Sequence, residues 1–332
     1  MVRSPGPGPV RLLAARAYGM RTRLRMLRQE GRADRSLLRW YPWWQVVDPY
    51  ASLDLTSPWE QAWVARWLAR ERQGTGAVVE LGTWLGATTR AMVCGVGAVP
   101  EGQAPVVFGY DAFVAIDLEA RMAGTPLTGL CRDGTSFRPI FDRRIGRWAD
   151  RIQVRQGDVL AARWDDGPIE LLFVDLAKTW AIWRHVRAAF LPHLVVGGVL
   201  VEQDWAHANT PWLHLWHHRW RDHFEPLGNI IHSSSVPFRL VRPLPPEALA
   251  PDELADYDAA EVLAAFAWSA DLVRPDKRAN VAGAQVMLHA LHGDHADGVA
   301  AALAAAADGQ LGDELVSIAL PELARRIVAA EA

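Results

Sequence analysis

The sequence predicts an α/β fold with a mostly parallel sheet, and three observations carry this prediction. The apolar run Ala77–Leu81 contains an acid near its end and leads into a glycine turn and a helix start. Strand-like runs and helical stretches then alternate through the middle of the chain, which is typical of βα units. Two further apolar stretches, 229–232 and 236–241, flank three serines and predict a closing hairpin.

The βα region contains five predicted strands ahead of the hairpin. The helices between them are predicted at about 87–97, 180–191 and 210–224, while 112–150 is a long mixed connection. Because ligands of such folds bind beyond the carboxyl ends of the strands, the residues that follow each strand are the candidates for chemistry. The predicted strands are 77–81, 106–110, 151–156, 169–174 and 198–202.

The loop after the first strand, at 82–86, selects the class of ligand. A dinucleotide loop needs glycines in the pattern G-x-G-x-x-G, but here Trp84 and Ala87 occupy the second and third glycine positions. No G-x-x-x-x-G-K-[ST] pattern is present, which excludes a P-loop. A ligand that lacks phosphates but carries an ammonium group suits Glu80, and S-adenosylmethionine (SAM) is such a ligand. The alternative is a plain tight turn without a ligand.

Acids also follow the second and third predicted strands. Asp111 ends the second strand, where an acid can accept hydrogen bonds from both hydroxyls of a ribose. The pair Gly157 and Asp158 follows the third strand and is placed to meet an adenine amino group, although a simple turn explains this dipeptide equally well.

Five βα units followed by an antiparallel pair resemble the Rossmann-like class of SAM-dependent methyltransferases, over about residues 75–242. The resemblance rests on Glu80, Gly82, Gly86, Asp111, Gly157, Asp158 and Asp175. It implies a seven-stranded, mostly parallel sheet with an antiparallel last strand, flanked by an N-terminal helical arm and a C-terminal helical extension. The SAM-binding residues that it implies are Glu80, Gly82, Thr83, Trp84, Gly86, Thr88, Asp111, Asp158 and Asp175.

Lys178 is the sharpest catalytic candidate. Only two of the 35 basic residues are lysines, Lys178 and Lys277. Arginine stays protonated in proteins, whereas lysine can lose its proton. Lys178 follows the fourth strand beside Asp175, so we expect burial and a nearby cation to lower its pKa until it acts as a base. The alternative is a solvent-facing lysine at a helix start.

The spacing of Asp175 and Lys178 resembles that of the metal-dependent O-methyltransferases of the catechol and caffeoyl-coenzyme-A types. In those enzymes the aspartate binds a divalent cation and an Asp-Asn pair follows the next strand, where this chain has Gln203-Asp204 in the opposite order. An oxygen-only set of Asp175, Gln203 and Asp204 suits Mg²⁺. A second resemblance, to macrolide and sugar O-methyltransferases with a strand-end acid pair, also fits Gln203-Asp204.

Histidines and tryptophans after the fifth strand offer further candidates. His207 lies three residues past Asp204 and is an alternative base. His214 and His218 have metal-ligand spacing on a helix, but no Glu completes an H-E-x-x-H motif, so a packing helix explains them better. The helical repeat of Trp212, Trp216 and Trp220 predicts a buried stripe, with a wall of the acceptor site as the alternative.

The two ends of the chain differ from the middle. Residues 1–74 form a basic and aromatic arm, with ten arginines in the first 40 residues. The arm is interpreted as a solvated helix, a membrane-surface or acidic-partner contact, or a mitochondrial transit peptide. Residues 243–332 are alanine-rich and helical, with stretches near 280–291, 297–307 and 311–329, and both helical ends are candidates for self-association. The central domain is predicted at 75–242.

Composition limits the classes of partner and compartment. A net charge of −3 gives no general case for nucleic-acid binding, and no apolar run is long enough for a membrane span. The two cysteines, Cys94 and Cys131, lie outside any C-x-x-C motif, which fits a reducing cytoplasm without structural zinc.

These observations predict a cytoplasmic SAM-dependent O-methyltransferase. Its acceptor is expected to be a small hydroxylated molecule, either a sugar or a natural product, with Mg²⁺ as a candidate assisting ion. Two alternatives stay open. One is a protein of the same fold that binds or scaffolds without transferring methyl groups, and the other is a hydroxylase-like relative.

Overall fold

The computed structural model describes residues 10–18, 20, 37, 39–40, 42, 48–97 and 106–331. Much of the basic part of the predicted N-terminal arm, with the aromatic residues at 41, 43 and 44, lies outside these ranges. Residues 10–18 are helical, as predicted for the arm, and Arg11 donates from Nε to the carbonyl of Pro126 at 3.1 Å.

A seven-stranded sheet forms the centre of the fold, with the strand order 3-2-1-4-5-7-6. The strands are β1 (Ala77–Leu81), β2 (Val107–Asp111), β3 (Ile152–Gln156), β4 (Ile169–Val174), β5 (Leu194–Glu202), β6 (Phe224–Pro226) and β7 (Val236–Leu240). The pairs β1–β2, β2–β3 and β4–β5 are parallel, and β7 runs antiparallel to both β5 and β6. The predicted α/β fold with an antiparallel last strand is therefore confirmed.

Helices surround the sheet and occupy the C-terminal third of the chain. They are α1 (Pro58–Arg70), α2 (Ala87–Val96), α3 (Leu118–Met122), α4 (Arg138–Ile145), α5 (Trp180–Ala189), α6 (Pro211–Arg219), α7 (Pro246–Leu249), α8 (Ala259–Leu272), α9 (Arg278–His292), α10 (His295–Ala307) and α11 (Leu320–Glu331). Across the described ranges, no helix has both the length and the apolar character that crossing a bilayer requires.

The closing antiparallel pair forms, but the first of its two predicted strands is misplaced. The predicted strand at 229–232 is a connection, and β6 lies at Phe224–Pro226 instead. Phe224 is buried and pairs in register with Leu240, whereas the side chain of Asn229 donates to the carbonyl of Ser235 at 2.9 Å. The polar side chain of Asn229 therefore secures the turn and does not extend the strand.

The chain forms two compact units. The first comprises Met1–Gly74, Val78–Ala161 and Ile231–Ser233, and it contains β1–β3 and α1–α4. Helix α1 begins with a capping box: Ser57 Oγ accepts from the N–H of Glu60 at 3.1 Å, and Glu60 returns a carboxylate to the N–H of Ser57 at 3.0 Å.

The second unit comprises Thr75–Ala77, Ala162–Ile230 and Ser234–Ala332, and it contains β4–β7 and α5–α11. Strands β4 and β5 carry almost continuous apolar sequence, as expected for parallel strands that are covered on both faces. In the C-terminal extension, α9, α10, α11 and the preceding turn share an apolar cluster centred on Val286, Met287 and Leu315. The predicted domain boundaries at 74/75 and 242/243 remain predictions.

Candidate functional site

The loop between β1 and α2 has the backbone conformation of a tight ligand-type turn. Gly82 and Gly86 have φ angles of +89° and +81°, which favour glycine, and the N–H of Gly86 donates to the carbonyl of Thr83 at 2.8 Å. Trp84 also has a positive φ, at +47°, which is uncommon for a bulky residue. This position therefore holds a strained conformation that a glycine would adopt without cost.

The indole of Trp84 explains how this strained residue is retained. Its Nε1 donates to the carbonyl of Leu53 at 2.9 Å, and its ring packs on Phe137 with centroids 5.1 Å apart. From the sequence, Trp84 is an obstacle to a pyrophosphate and a predicted SAM-binding residue, and the second role remains a prediction. The structure adds that the indole is anchored against the body of its own unit.

Asp111, the predicted ribose acceptor, holds the same loop. Its carboxylate accepts from the N–H of Trp84 at 2.9 Å and from the N–H of Phe113 at 2.7 Å. Burial raises the pKa of Asp111 above its ordinary value, although these backbone hydrogen bonds oppose the shift. The acid at the end of β2 therefore fixes the turn after β1, whether or not a ribose binds there.

The other residues of this unit that are predicted to bind SAM also have protein partners. Glu80 is buried and accepts from the hydroxyl of Thr89 on α2. Thr88 donates from Oγ1 to Oγ1 of Thr56 at 2.9 Å. Asp158 is exposed and accepts from the N–H of Leu160 at 2.9 Å, which makes it the start of a local turn. Their roles in binding SAM remain predictions.

Gly109 in β2 provides the space for Thr83. A Cβ atom added at Gly109 would lie 2.6 Å from Cγ2 of Thr83, closer than real carbon contacts allow. Thr83 is buried, and its hydroxyl lies 3.5 Å from Asp111. The glycine in the second strand is therefore a support for the loop, which the sequence did not reveal.

Sequence reasoning also missed Arg144 on α4. Its guanidinium donates to Asp48 at 2.8 Å, to Asp54 at 2.7 Å and to the carbonyl of Leu85 in the loop at 2.9 Å. Arg90 on α2 binds the same Asp48 carboxylate. Burial raises the pKa of Asp48, but Arg144 and Arg90 together lower it by more, so the pKa lies below its ordinary value. This buried network fixes the loop from the side of α4.

In the second unit, the structure brings together the residues that follow β4 and β5. The ammonium of Lys178 donates to Oδ2 of Asp204 and lies 3.5 Å from Oδ1 of Asp175. These residues come from the ends of neighbouring parallel strands, as the sequence predicted. The two acids are largely buried, whereas 49% of the Lys178 side chain is exposed.

The charge of Lys178 differs from the prediction. Partial desolvation lowers the pKa of its ammonium, but Asp175 and Asp204 raise it by more, so the net shift is upward. The predicted pKa shift was downward, because the two carboxylates were assigned to a metal ion. With both acids facing it, Lys178 is a cation at neutral pH and is not poised to act as a base.

Gln203 lies between the two acids. With its amide nitrogen towards them, Gln203 donates to Oδ1 of Asp175 at 3.0 Å and to Oδ1 of Asp204 at 2.9 Å. With its amide oxygen towards them instead, the three side chains form the oxygen-only set that suits Mg²⁺. In the described part of the chain, no group of three or more His, Cys, Asp or Glu residues is arranged to hold a metal, and a set that includes an amide is not of that kind. The Mg²⁺ ligand set of Asp175, Gln203 and Asp204 therefore stays a prediction.

His207, the alternative base, faces the C-terminal extension. Its Nδ1 lies 3.7 Å from Oε2 of Glu314, and the same carboxylate oxygen accepts from the N–H of Ala208 at 2.7 Å. The side chain is about one-third exposed. Nδ1 of the ring accepts from the N–H of Asn209 at 3.3 Å, and Glu314 is a nearby carboxylate that the sequence did not suggest.

Helix α6 is mainly a packing helix, as predicted. Trp212 and Trp216 are buried, and their indole N–H groups donate to the carbonyls of Ala177 and Ala248, each at 2.9 Å. His214 is fully buried, and burial lowers its pKa to about 3. The neutral, enclosed imidazole fits the core of the unit and not a zinc site with His218.

The strand order of the sheet is that of the Rossmann-like methyltransferase fold.

Comparisons with known proteins extend only to the fold. No family model and no curated protein matches the chain. Solved structures similar to it include the O-methyltransferase NovP, at 14% identity over 56% of this chain and 81% of NovP, with a TM-score of 0.42. The calicheamicin methyltransferase CalS11 is 17% identical over 66% and 91%, with a TM-score of 0.41. The SAH-bound methyltransferase PaMTH1 from Podospora anserina is 14% identical over 67% and 96%, with a TM-score of 0.40.

Proposed function

We propose that the protein is a SAM-dependent O-methyltransferase that acts on a hydroxyl group of a small molecule, either a sugar or a natural product. The observation that carries the proposal is the left-handed glycine turn after Glu80 within a sheet of order 3-2-1-4-5-7-6. In open α/β sheets, ligands bind at the carboxyl ends of the strands. The loop at 82–86 and the acids of β1 and β2 occupy such ends.

The chemistry of the donor set fits SAM better than a phosphate-bearing cofactor. The loop has no basic residue, and carboxylates lie near the ends of both flanking strands, at Glu80 and Asp111. Two acids without a base suit a ligand that has an ammonium group and a ribose. Glu80 and Asp111 are the residues that would hold these groups, together with the backbone of Gly82 and Gly86.

SAM supplies an electrophilic methyl group on a sulfonium sulfur. In the transfer, a bond forms between the methyl carbon and the acceptor oxygen, the carbon–sulfur bond breaks, and the hydroxyl loses its proton. We propose that protonated Lys178 stabilises the negative charge that develops on that oxygen. The carboxylates of Asp175 and Asp204 are then the groups beside it that can accept the proton.

In this proposal Lys178 acts through its positive charge and not as the base, because burial lowers its pKa by less than Asp175 and Asp204 raise it. Mg²⁺ stays a candidate ion, and Asp175, Gln203 and Asp204 are the residues that would hold it with the amide oxygen of Gln203 towards the acids. His207 remains the alternative base, and its Nδ1 accepts from the N–H of Asn209 at 3.3 Å.

Calorimetry with SAM and with its demethylated product tests the donor half of the proposal. Mass spectrometry of hydroxylated acceptors incubated with the protein and SAM tests the transfer, since a product must gain one methyl group. We expect Asp111→Ala to weaken SAM binding, because the loop loses two backbone hydrogen bonds. If millimolar SAM releases no heat and protects no residue of the loop, the proposal fails.

A binding or scaffold protein of the same fold is the second candidate. It is favoured by one observation: Glu80, Thr88 and Asp111 all have protein partners, and Trp84 fills the space beside Phe137. Such a loop could be held closed for structural reasons alone. The two candidates differ in calorimetry, because the scaffold needs no affinity for SAM.

A further inference from the structure

Two cavities in the second unit meet at Lys178. The first, of about 600 Å³, lies between α5, the end of α9 and the segment around Leu254. The second, of about 540 Å³, lies between α6, α9 and α11. Lys178, Trp212 and Leu291 line both cavities. Each volume is in the range of small-molecule sites in proteins.

The C-terminal extension contributes half of the residues that line the first cavity and most of those that line the second. Leu254 and His292 line the first cavity, and Met287, Ile318 and Pro321 line the second. The sequence of this extension contained no candidate site residue. Its residues nevertheless line the space next to Lys178, so the extension does more than pack against its own unit.

One wall of the first cavity is aromatic. The rings of Trp180 and Trp212 lie 6.4 Å apart, and His292 packs edge-on to Trp180 at 5.7 Å. The indole N–H of Trp180 donates to Asp252 at 3.2 Å, and that of Trp212 donates to the carbonyl of Ala177. With these donors engaged, the rings are left to offer flat apolar surface, which suits the face of a planar ring or a sugar.

Every basic side chain that lines the two cavities already binds a carboxylate. Lys178 binds Asp204, Arg184 binds Glu253 at 3.4 Å, and Arg325 binds Glu322 at 2.5 Å. Hydrogen bonds from Arg325 and Arg326 lower the pKa of Glu322 to about 2, so this acid stays charged. Burial lowers the pKa of His292, which keeps its imidazole neutral. The lining is mainly apolar, and its charged side chains are balanced by ion pairs.

We propose that these two cavities form one binding site for an uncharged, hydroxylated molecule with a planar ring, with Lys178 between its halves. The site discriminates against phosphate-bearing molecules, such as nucleotide-linked sugars or coenzyme-A esters, because its cations are already paired. The identification of this molecule as the methyl acceptor rests on the function proposed above. The binding site itself rests only on the second unit.

Calorimetry of the full chain without SAM tests the binding site separately from methyl transfer. The probes are 4-nitrophenyl β-glucoside, 4-nitrophenyl phosphate and thymidine diphosphate; the first two share one aromatic ring and differ in charge. We expect the glucoside to bind at least about tenfold more tightly than either anion. Trp180→Ala should weaken glucoside binding by about tenfold, because one stacking surface is lost. Trp220→Ala is the matched control, since Trp220 lines neither cavity.

A variant that removes the carboxylate paired with Arg184 tests whether the site discriminates against anionic molecules. Glu253→Gln removes the carboxylate that pairs with Arg184, so binding of 4-nitrophenyl phosphate relative to the glucoside should strengthen by up to about fivefold. Tighter binding of either anion to the wild-type protein, equal effects of Trp180→Ala and Trp220→Ala, or no binding of any probe at millimolar concentration would overturn the inference. Absence of methyl transfer alone would overturn the proposed function and leave the binding site standing.

Discussion

Nε2 of His217 lies 3.1 Å from Oε1 of Glu202, and both side chains are completely enclosed in the second unit. Burial and the nearby Asp204 raise the pKa of Glu202 well above its ordinary value of 4.5. Burial, His214 and Arg187 lower the pKa of His217 well below 6.5. Burial therefore favours the neutral form of both groups, in which the carboxylic acid of Glu202 donates to the imidazole. Glu202 lies directly before Gln203 and Asp204 in the chain.

The Glu202–His217 pair predicts a pH dependence of stability with two signs. Above pH 4.5 the unfolded chain loses the Glu202 proton while the folded chain keeps it, which lowers stability as pH rises. Below pH 6.5 the unfolded chain protonates His217 and the folded chain does not, which lowers stability as pH falls. Between pH 4.5 and 6.5 the two contributions cancel, so the pair lowers stability with rising pH only above pH 6.5. Glu202→Gln keeps a donor for His217 without titrating, so we expect it to remove this loss above pH 6.5, which amounts to about 1.4 kcal/mol per pH unit for a full proton.

Urea unfolding at several pH values measures this effect. Glu225→Gln is the control, because Glu225 is an exposed acid on β6 that pairs with Arg239, and the slope should stay as in the wild type. An unchanged slope in Glu202→Gln would show that Glu202 is ionised in the folded protein.

Lys178 is expected to act through its positive charge and not as a base. Two variants, one without the charge and one that keeps it, distinguish these roles. Lys178→Met removes the cation beside Asp204 and should lower kcat by about 100-fold, the scale of one lost electrostatic partner at a developing charge. Lys178→Arg keeps the charge and should keep at least about tenfold more activity than the Met variant. Because arginine cannot act as a base, equal losses in both variants would instead favour the base mechanism.

Chelation provides the matching test for the metal. We expect turnover to be unchanged by EDTA and by added Mg²⁺ if Gln203 keeps its amide nitrogen towards Asp175 and Asp204, the orientation that satisfies its hydrogen bonds. Methyl transfer measured before and after dialysis against the chelator gives the result. Activity that disappears on dialysis and returns with Mg²⁺ would mean that Gln203 turns its oxygen towards the ion and that Lys178 moves away.

The sheet was predictable where long apolar runs end in polar residues. Strands β1–β4 were placed within one residue, because each run is four residues or longer and is bounded by turn residues. The start of β5 at Leu194 was missed by four residues, since Gly197 and Gly198 interrupt the apolar pattern. Strand β6 has three residues and ends in Pro226, so it is too short for any periodicity to reveal.

The candidate site was predictable in position but not in charge. Asp175, Gln203 and Asp204 follow neighbouring parallel strands, so topology alone predicts that they meet. Whether they face a metal or an ammonium depends on side-chain distances, which no pattern contains. Arg144 was missed for a related reason: it is one of many arginines, and its partners Asp48 and Asp54 lie 96 and 90 residues away in the chain.

Arg144 should be a large contributor to the stability of the first unit. Arg144→Met leaves Asp48 and Asp54 without their main cation, and breaking a buried pair in this way costs about 3–5 kcal/mol. Arg138→Met is the control on the same helix, because its pair with Asp142 is exposed and should contribute about 1 kcal/mol or less. Denaturant unfolding measures both variants, and equal costs would remove the special role of Arg144. Because Arg144 also binds the carbonyl of Leu85, SAM affinity should fall only in the first variant.

Gly109 and Thr83 give the most direct test that the strand behind the loop shapes the donor site. An alanine at Gly109 would place its Cβ 2.6 Å from Cγ2 of Thr83, so Gly109→Ala should cost about 1–3 kcal/mol of stability and weaken SAM binding. Thr83→Ser removes Cγ2 but keeps the hydroxyl that faces Asp111, so it should be nearly neutral by itself.

Combined with Gly109→Ala, Thr83→Ser should restore most of the lost stability and SAM affinity. The serine lacks the Cγ2 atom with which the new Cβ would clash. A double-mutant cycle on unfolding and on SAM calorimetry measures the coupling directly. If the free-energy costs of Gly109→Ala and Thr83→Ser simply add, the strain arises in the backbone of β2 and not from contact with Thr83. Strong coupling in stability without any change in SAM affinity would separate the packing of the loop from donor binding and favour the scaffold function.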